Sequence, residues 1–157
     1  EGADGKRALV PGSEMPVGRS PRDLVAADFD RDGRTDVAVI NRMSEDASIL
    51  TAHPGEAGFS ILDQVYPVDG EVADIAACDL DRDGRDDVIQ LHRASAEVSI
   101  RMSREAGSLS YPTFYTVGTL PSALRVADVG GPRGRKIIFK SYSGEVFLKR
   151  LNRSELK

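Results

Sequence analysis

Two nonapeptides in this chain carry more carboxylate than an ordinary turn can use. Residues 28–36 read DFDRDGRTD, and residues 79–87 read DLDRDGRDD. Each places Asp at loop positions one, three, five and nine, and Gly at position six. Four like charges in so short a span repel one another unless a cation sits among them, and the Gly lets the chain turn tightly enough to aim them inward. Hard oxygen donors on a tight loop suit Ca²⁺, which takes about six to eight oxygens in irregular geometry, whereas Mg²⁺ keeps its waters and fits an all-protein cage less well. The two loops therefore predict two Ca²⁺ sites. The alternative is a pair of acidic Asp-Gly hairpin turns without metal, but a plain hairpin has no use for four carboxylates.

The flanking residues decide which elements must position these loops. An EF-hand loop begins in the same way, but it needs a Glu at its twelfth position and a helix on either side. Here the twelfth positions are Val39 and Gln90. Leu24-Val25-Ala26-Ala27 and Ile75-Ala76-Ala77-Cys78 precede the loops; Val37-Ala38-Val39-Ile40 and Val88-Ile89-Gln90-Leu91 follow them. Short apolar runs bounded by turn residues read as buried strands. Each acidic loop thus joins strand to strand, and ligation has to finish at position nine.

Repeats set the architecture. The loops are 51 residues apart, from Asp28 to Asp79. Pro16-Val17-Gly18, Pro67-Val68-Asp69 and Thr116-Val117-Gly118 mark three periods of similar length. A third loop region falls at 128–136 and reads DVGGPRGRK, keeping Asp128 but placing Gly130, Pro132 and Lys136 where the other carboxylates stand. That loop is expected to be metal-free. Each period holds short strands: 23–28, 36–41, 47–52 and 58–66, then 74–79, 87–92, 96–102 and 108–116, then 123–128, 136–141 and 145–151. Small residues such as Ala26 and Ala27 on the first strand suit a crowded central axis. About 50 residues in four antiparallel strands is the scale of one β-propeller blade.

On Tyr66-Pro67-Val68, on the run from Val72 through Asp79-Leu80-Asp81-Arg82-Asp83-Gly84 to Val88, and on the matching part of the first repeat, the chain resembles the FG-GAP/VCBS repeat family. That family includes integrin α-subunit propellers, propeller lectins and secreted bacterial proteins, and the resemblance covers residues 13–151. It implies an all-β, β-propeller fold of three four-stranded antiparallel blades. It also implies that Asp28, Asp30, Asp32 and Asp36 ligate one Ca²⁺ together with the backbone carbonyl of Arg34. Asp79, Asp81, Asp83 and Asp87 would do the same with the carbonyl of Arg85. The third repeat departs from the family pattern.

One unit, 1–157, is expected, with blades at about 18–68, 69–117 and 118–151. The third repeat lacks a fourth strand, and a strand without a partner is expected at about 7–15. Three blades are fewer than the usual ring of about four to eight. Two chains joined head to tail as a homodimer would give a six-bladed ring; the other explanation is that the chain is part of a larger propeller. The absence of Met at Glu1 fits a processed mature chain or a fragment.

The net charge of −4 reflects the acidic loops, and two divalent ions would cancel it. No basic stripe points to nucleic acid, and no apolar run approaches the roughly 20 residues that span a bilayer. A lone Cys78 excludes an internal disulfide and reads as a small buried filler. Calcium loops of this kind work where free Ca²⁺ is plentiful, so an extracellular, secreted or periplasmic setting is expected. The Asn152-Arg153-Ser154 sequon matters only in a glycosylating source.

Catalytic constellations are scarce: two histidines, His53 and His92, no G-x-S-x-G elbow and no phosphate-cradling glycine loop. The chain is read as a non-enzyme. By the resemblance, loops joining second to third strands gather on the face opposite the metal loops, where the family binds ligands. They contribute Arg42, His92, Arg93 and Tyr142 as candidate contacts to a protein or glycan ligand. The leading expectation is a calcium-stabilised extracellular binding module. A purely structural scaffold, or an accessory module of a secreted carbohydrate-active enzyme, are the alternatives.

Overall fold

The computed structural model describes residues 14–52, 59–61, 66–67, 70–118, 120–127, 136–144 and 146–150. Strands flank both acidic loops. The first sheet contains β1 (Pro21–Ala27), β2 (Asp36–Asn41), β3 (Asp46–Ala52), β4 (Phe59–Ile61) and β5 (Tyr66–Pro67). The second contains β6 (Val72–Cys78), β7 (Asp87–His92), β8 (Glu97–Arg101) and β9 (Thr113–Thr116), and the third β10 (Pro121–Ala127), β11 (Lys136–Ser141) and β12 (Val146–Arg150). Every pairing is antiparallel. The protein is all-β, built from antiparallel sheets.

The three sheets repeat one register. Ala38, Ile89 and Ile138 occupy equivalent places on the second strands, opposite Ile49, Ile100 and Leu148 on the third. Each first strand also begins with the same irregularity, between Pro21 and Asp23, Val72 and Asp74, and Pro121 and Ala123. This bulge starts the strands two residues earlier than their apolar runs suggest, because an extra residue on one strand breaks the alternation a sequence reading relies on. Of the expected strand over 58–66, β4 and β5 are described and both pair with β3, while residues 58 and 62–65 lie outside the described residues. In the second sheet the expected 108–116 strand shortens to β9. A 3₁₀ turn at Glu105–Gly107 and an isolated bridge from Ser103 to Leu109 precede it.

Two cores lie between the sheets. Ala38, Ile40, Ala47 and Ile49 of the first sheet pack with Val72, Ile75 and Val88 of the second. Ile89, Leu91, Val98 and Ile100 of the second pack with Leu124, Ile137 and Phe139 of the third. The first strands β1, β6 and β10 neighbour one another in turn. Carboxylates tie them: Asp74 Oδ2 accepts Leu124 N–H at 2.8 Å and meets Arg125 Nη1 at 3.2 Å. Asp23 holds the equivalent place on β1, beside Asp74 and the backbone of Ile75. Burial and the neighbouring Asp74 carboxylate push its carboxyl above the ordinary range.

The outermost faces break the pattern. Leu24 stands where Ile75 and Leu124 stand, yet it is 61% exposed while they are buried. Val146 pairs with Lys140 as Ala47 pairs with Ile40 and Val98 with Leu91, and it is 64% exposed where those two are buried. The strand expected over 7–15 lies outside the described residues up to residue 13, and residues 14 and 15 are not in a strand. His53, loop 128–135 and the sequon also lie outside the described residues.

Candidate metal centres

Both acidic loops adopt one conformation. Asp28 Oδ1 accepts the N–H groups of Arg31 at 2.7 Å and Asp32 at 3.2 Å, and its Oδ2 accepts Gly33 N–H at 2.9 Å. Asp79 does the same with Arg82 at 2.6 Å, Asp83 at 3.2 Å and Gly84 at 3.1 Å. The turn needs left-handed backbone twice: at Arg31 (φ 67) and Gly33 (φ 79), and at Arg82 (φ 67) and Gly84 (φ 90). Only the Gly positions adopt it without steric cost.

The last Asp of each loop is buried and closes it. Asp36 accepts Phe29 N–H at 3.0 Å and Ala52 N–H at 2.9 Å, tying the loop start to the end of β3. Asp87 repeats this with Leu80 and Ser103, both at 2.9 Å. Burial raises both carboxyls, with added repulsion from Asp30 and Asp32 in the first loop and from Asp81 and Asp79 in the second. Asp87 is pushed up to about 7.

Carboxylate oxygens of Asp28, Asp30 and Asp36 converge to within 4.8 Å of one another, and so do those of Asp79, Asp81 and Asp87. This donor set, all hard oxygen and rich in negative charge, fits a divalent cation of the Ca²⁺ type. The fifth-position carboxylates are arranged differently. Asp32 Oδ1 accepts Arg34 N–H at 2.8 Å, while Oδ2 pairs with Arg34 Nη1 at 2.9 Å. Asp83 makes the same two contacts with Arg85, both at 2.8 Å. Sequence reasoning missed Asp86, the extra acid of the second loop. Its Oδ2 accepts Asp28 N–H at 3.2 Å, and its own N–H donates to Asp28 carbonyl oxygen at 2.8 Å. The signal was present, since the first loop has Thr35 in that place.

The second-to-third-strand turns place the remaining candidates. Arg42 is exposed and lines a cleft with Glu45, Gly70 and Glu71. Arg93 and Tyr142, from different sheets, come together: the guanidinium carbon lies 5.1 Å from the ring centroid, and Tyr142 is 62% exposed. His92 requires a correction. An exposed place at the ligand-facing rim is expected for it, but as the last residue of β7 it is buried. Its Nε2 and Ser99 Oγ lie 2.8 Å apart, and its ring packs 5.5 Å from Phe114. The register explains this: Asn41 and Ser141 hold the same place and are also buried, Asn41 bonded to Asp46 and Ser48. The final residue of each second strand points inward to secure the turn.

Successive antiparallel sheets, with a carboxylate-lined loop between first and second strands, define a class of repeat protein. The sequence profile of the FG-GAP-like repeat matches residues 28–90, so that stretch is similar to the FG-GAP-like repeat family. A 29-residue stretch is 69% identical to the probable chemoreceptor glutamine deamidase CheD 2 of Geobacter sulfurreducens. That stretch is 18% of each of the two chains, so the chain spans only a small part of that relative's length.

Proposed function

We propose that this chain is a β-propeller segment stabilised by two Ca²⁺ ions, acting outside the cytosol as a non-catalytic binding module for a protein or glycan. The observation that carries the reading is the convergence of three carboxylates in each loop to within 4.8 Å. An ion bound there supplies the positive charge these groups need. Asp28, Asp30 and Asp36 would hold it in the first loop, and Asp79, Asp81 and Asp87 in the second. Asp32 and Asp83 join them if they turn from Arg34 and Arg85, and the carbonyls of Arg34 and Arg85 complete the sets. Arg42, Arg93 and Tyr142 supply cationic and aromatic surface for the ligand.

The open ends support a second element of the reading, head-to-tail association of two copies into a ring. Leu24 and Val146 sit at places that the internal sheet–sheet contacts bury. A larger propeller would cover the same faces. Sedimentation in Ca²⁺ separates the two, since a folded monomer at micromolar concentration ends the dimer reading.

The cation reading is tested by thermal unfolding with and without chelator. A clear drop in melting temperature on chelation supports it, and an unchanged melt removes it. A glycan array probed with and without Ca²⁺ tests the ligand class.

A further inference from the structure

The two acidic loops touch. Asp28, the first residue of loop one, donates its N–H to Asp86 Oδ2 at 3.2 Å and accepts Asp86 N–H at its carbonyl at 2.8 Å. Both backbone polar groups of Asp28 are therefore held by the residue that precedes Asp87. A second contact lies beside it. A Cβ at Gly84 would come within 2.8 Å of Arg31 Nε, so the Arg31 side chain passes over the loop-two turn where Gly leaves room.

We propose that the two cation loops are one coupled unit, with Asp86 as the positioning residue through which occupancy of one loop raises the affinity of the other. This rests on the Ca²⁺ reading above. An ion in loop one draws Asp28 towards Asp30 and Asp36 and restrains its backbone. The reciprocal hydrogen bonds carry that restraint to Asp86, and so to Asp87. The ordering cost of loop two is then partly met before its ion arrives, which is positive cooperativity. Repulsion between the two ions opposes this, and added salt weakens that repulsion. Linkage makes the effect reciprocal, and a coupling of about fivefold, the lower end of the usual range, is expected.

Calorimetric titration of the full chain with CaCl₂ tests the proposal. Asp30→Asn silences loop one, and the affinity of loop two is then read with Asp86 intact or replaced. With Asp86 intact, silencing loop one weakens loop two about fivefold. With Asp86→Thr, the residue of the first repeat, the difference shrinks, because only the backbone bond from residue 86 to Asp28 remains. Asp86→Asn keeps an acceptor oxygen for Asp28 N–H and restores it, which a merely structural loss of side chain would not do. Should Asp30→Asn not fold, Asp81→Asn gives the converse reading: silencing loop two weakens loop one about fivefold, and an unchanged loop-one affinity overturns the coupling. Loop-two affinity indifferent to Asp30→Asn overturns the coupling while leaving the cation reading intact. Absence of Ca²⁺ binding by every variant removes both.

Discussion

Asp74 joins the second sheet to the third, accepting the backbone N–H of Leu124 through Oδ2 at 2.8 Å. The same oxygen meets Arg125, and the Asp23 carboxyl of the first sheet lies beside it. One side chain thus ties the second sheet to the third next to the first. Hydrogen bonds to a charged acceptor contribute about 1.5–3 kcal/mol each. Asp74→Ala is expected to cost about that much in urea unfolding, and a loss below about 0.5 kcal/mol would show the link to be incidental.

Interior and end positions of the same register differ in cost. Leu124 is buried in the second core, so Leu124→Ala is expected to lose about 2–5 kcal/mol. Leu24 faces outwards, so Leu24→Ala loses little from the monomer fold but weakens association with a second copy. Chemical denaturation measures the first effect and sedimentation the second. Equal stability losses at both positions would show that the end face is not open.

Each ion is expected to stabilise the fold by about 2.7 kcal/mol when Ca²⁺ exceeds its dissociation constant a hundredfold. Asp30→Ala and Asp81→Ala should each remove part of the chelator-sensitive stability. Melting curves of the two variants, taken with Ca²⁺ and with chelator, check this. A variant that keeps the full chelator response would exclude its loop as a site.

Without Ca²⁺, stability should fall as pH rises. Folded Asp87 holds its proton up to about 7, whereas an ordinary carboxyl releases it near 3.8. Between those values the folded chain binds more protons than the unfolded one, so stabilisation is full below the lower value and lost above the upper. Asp36 is shifted in the same direction. Ca²⁺ competes with these protons, so saturating the loops should flatten the slope. A calcium-free melting temperature that climbs from pH 5 to about pH 7.5 would contradict this.

Half-buried Arg93 and exposed Tyr142 form a cation–π pair at the surface, of the kind that contributes about 0.5–1 kcal/mol. Arg93→Ala and Tyr142→Ala should therefore cost little stability while reducing capture of a ligand found on a glycan array. Full retention of binding by both variants would move the ligand face elsewhere.

Local chemistry made much of this legible in the chain. Asp at fixed intervals around a Gly marks a tight acidic loop, and β-branched runs on both sides mark strands. Recurrence of the pattern marks repeats. The bulges just before Asp23 and Asp74 and the burial of His92 were not legible. Each depends on register against a neighbouring strand, which apolar patterning reports only on average.

From residue types alone came the strand-loop-strand repeats and the paired carboxylate loops, because spacing along the backbone sets which side chains a tight turn brings together. The contact between loops, from Asp28 to Asp86, was decided only by packing. It joins residues 58 positions apart, and their meeting depends on how the first and second sheets stack, which no local pattern encodes.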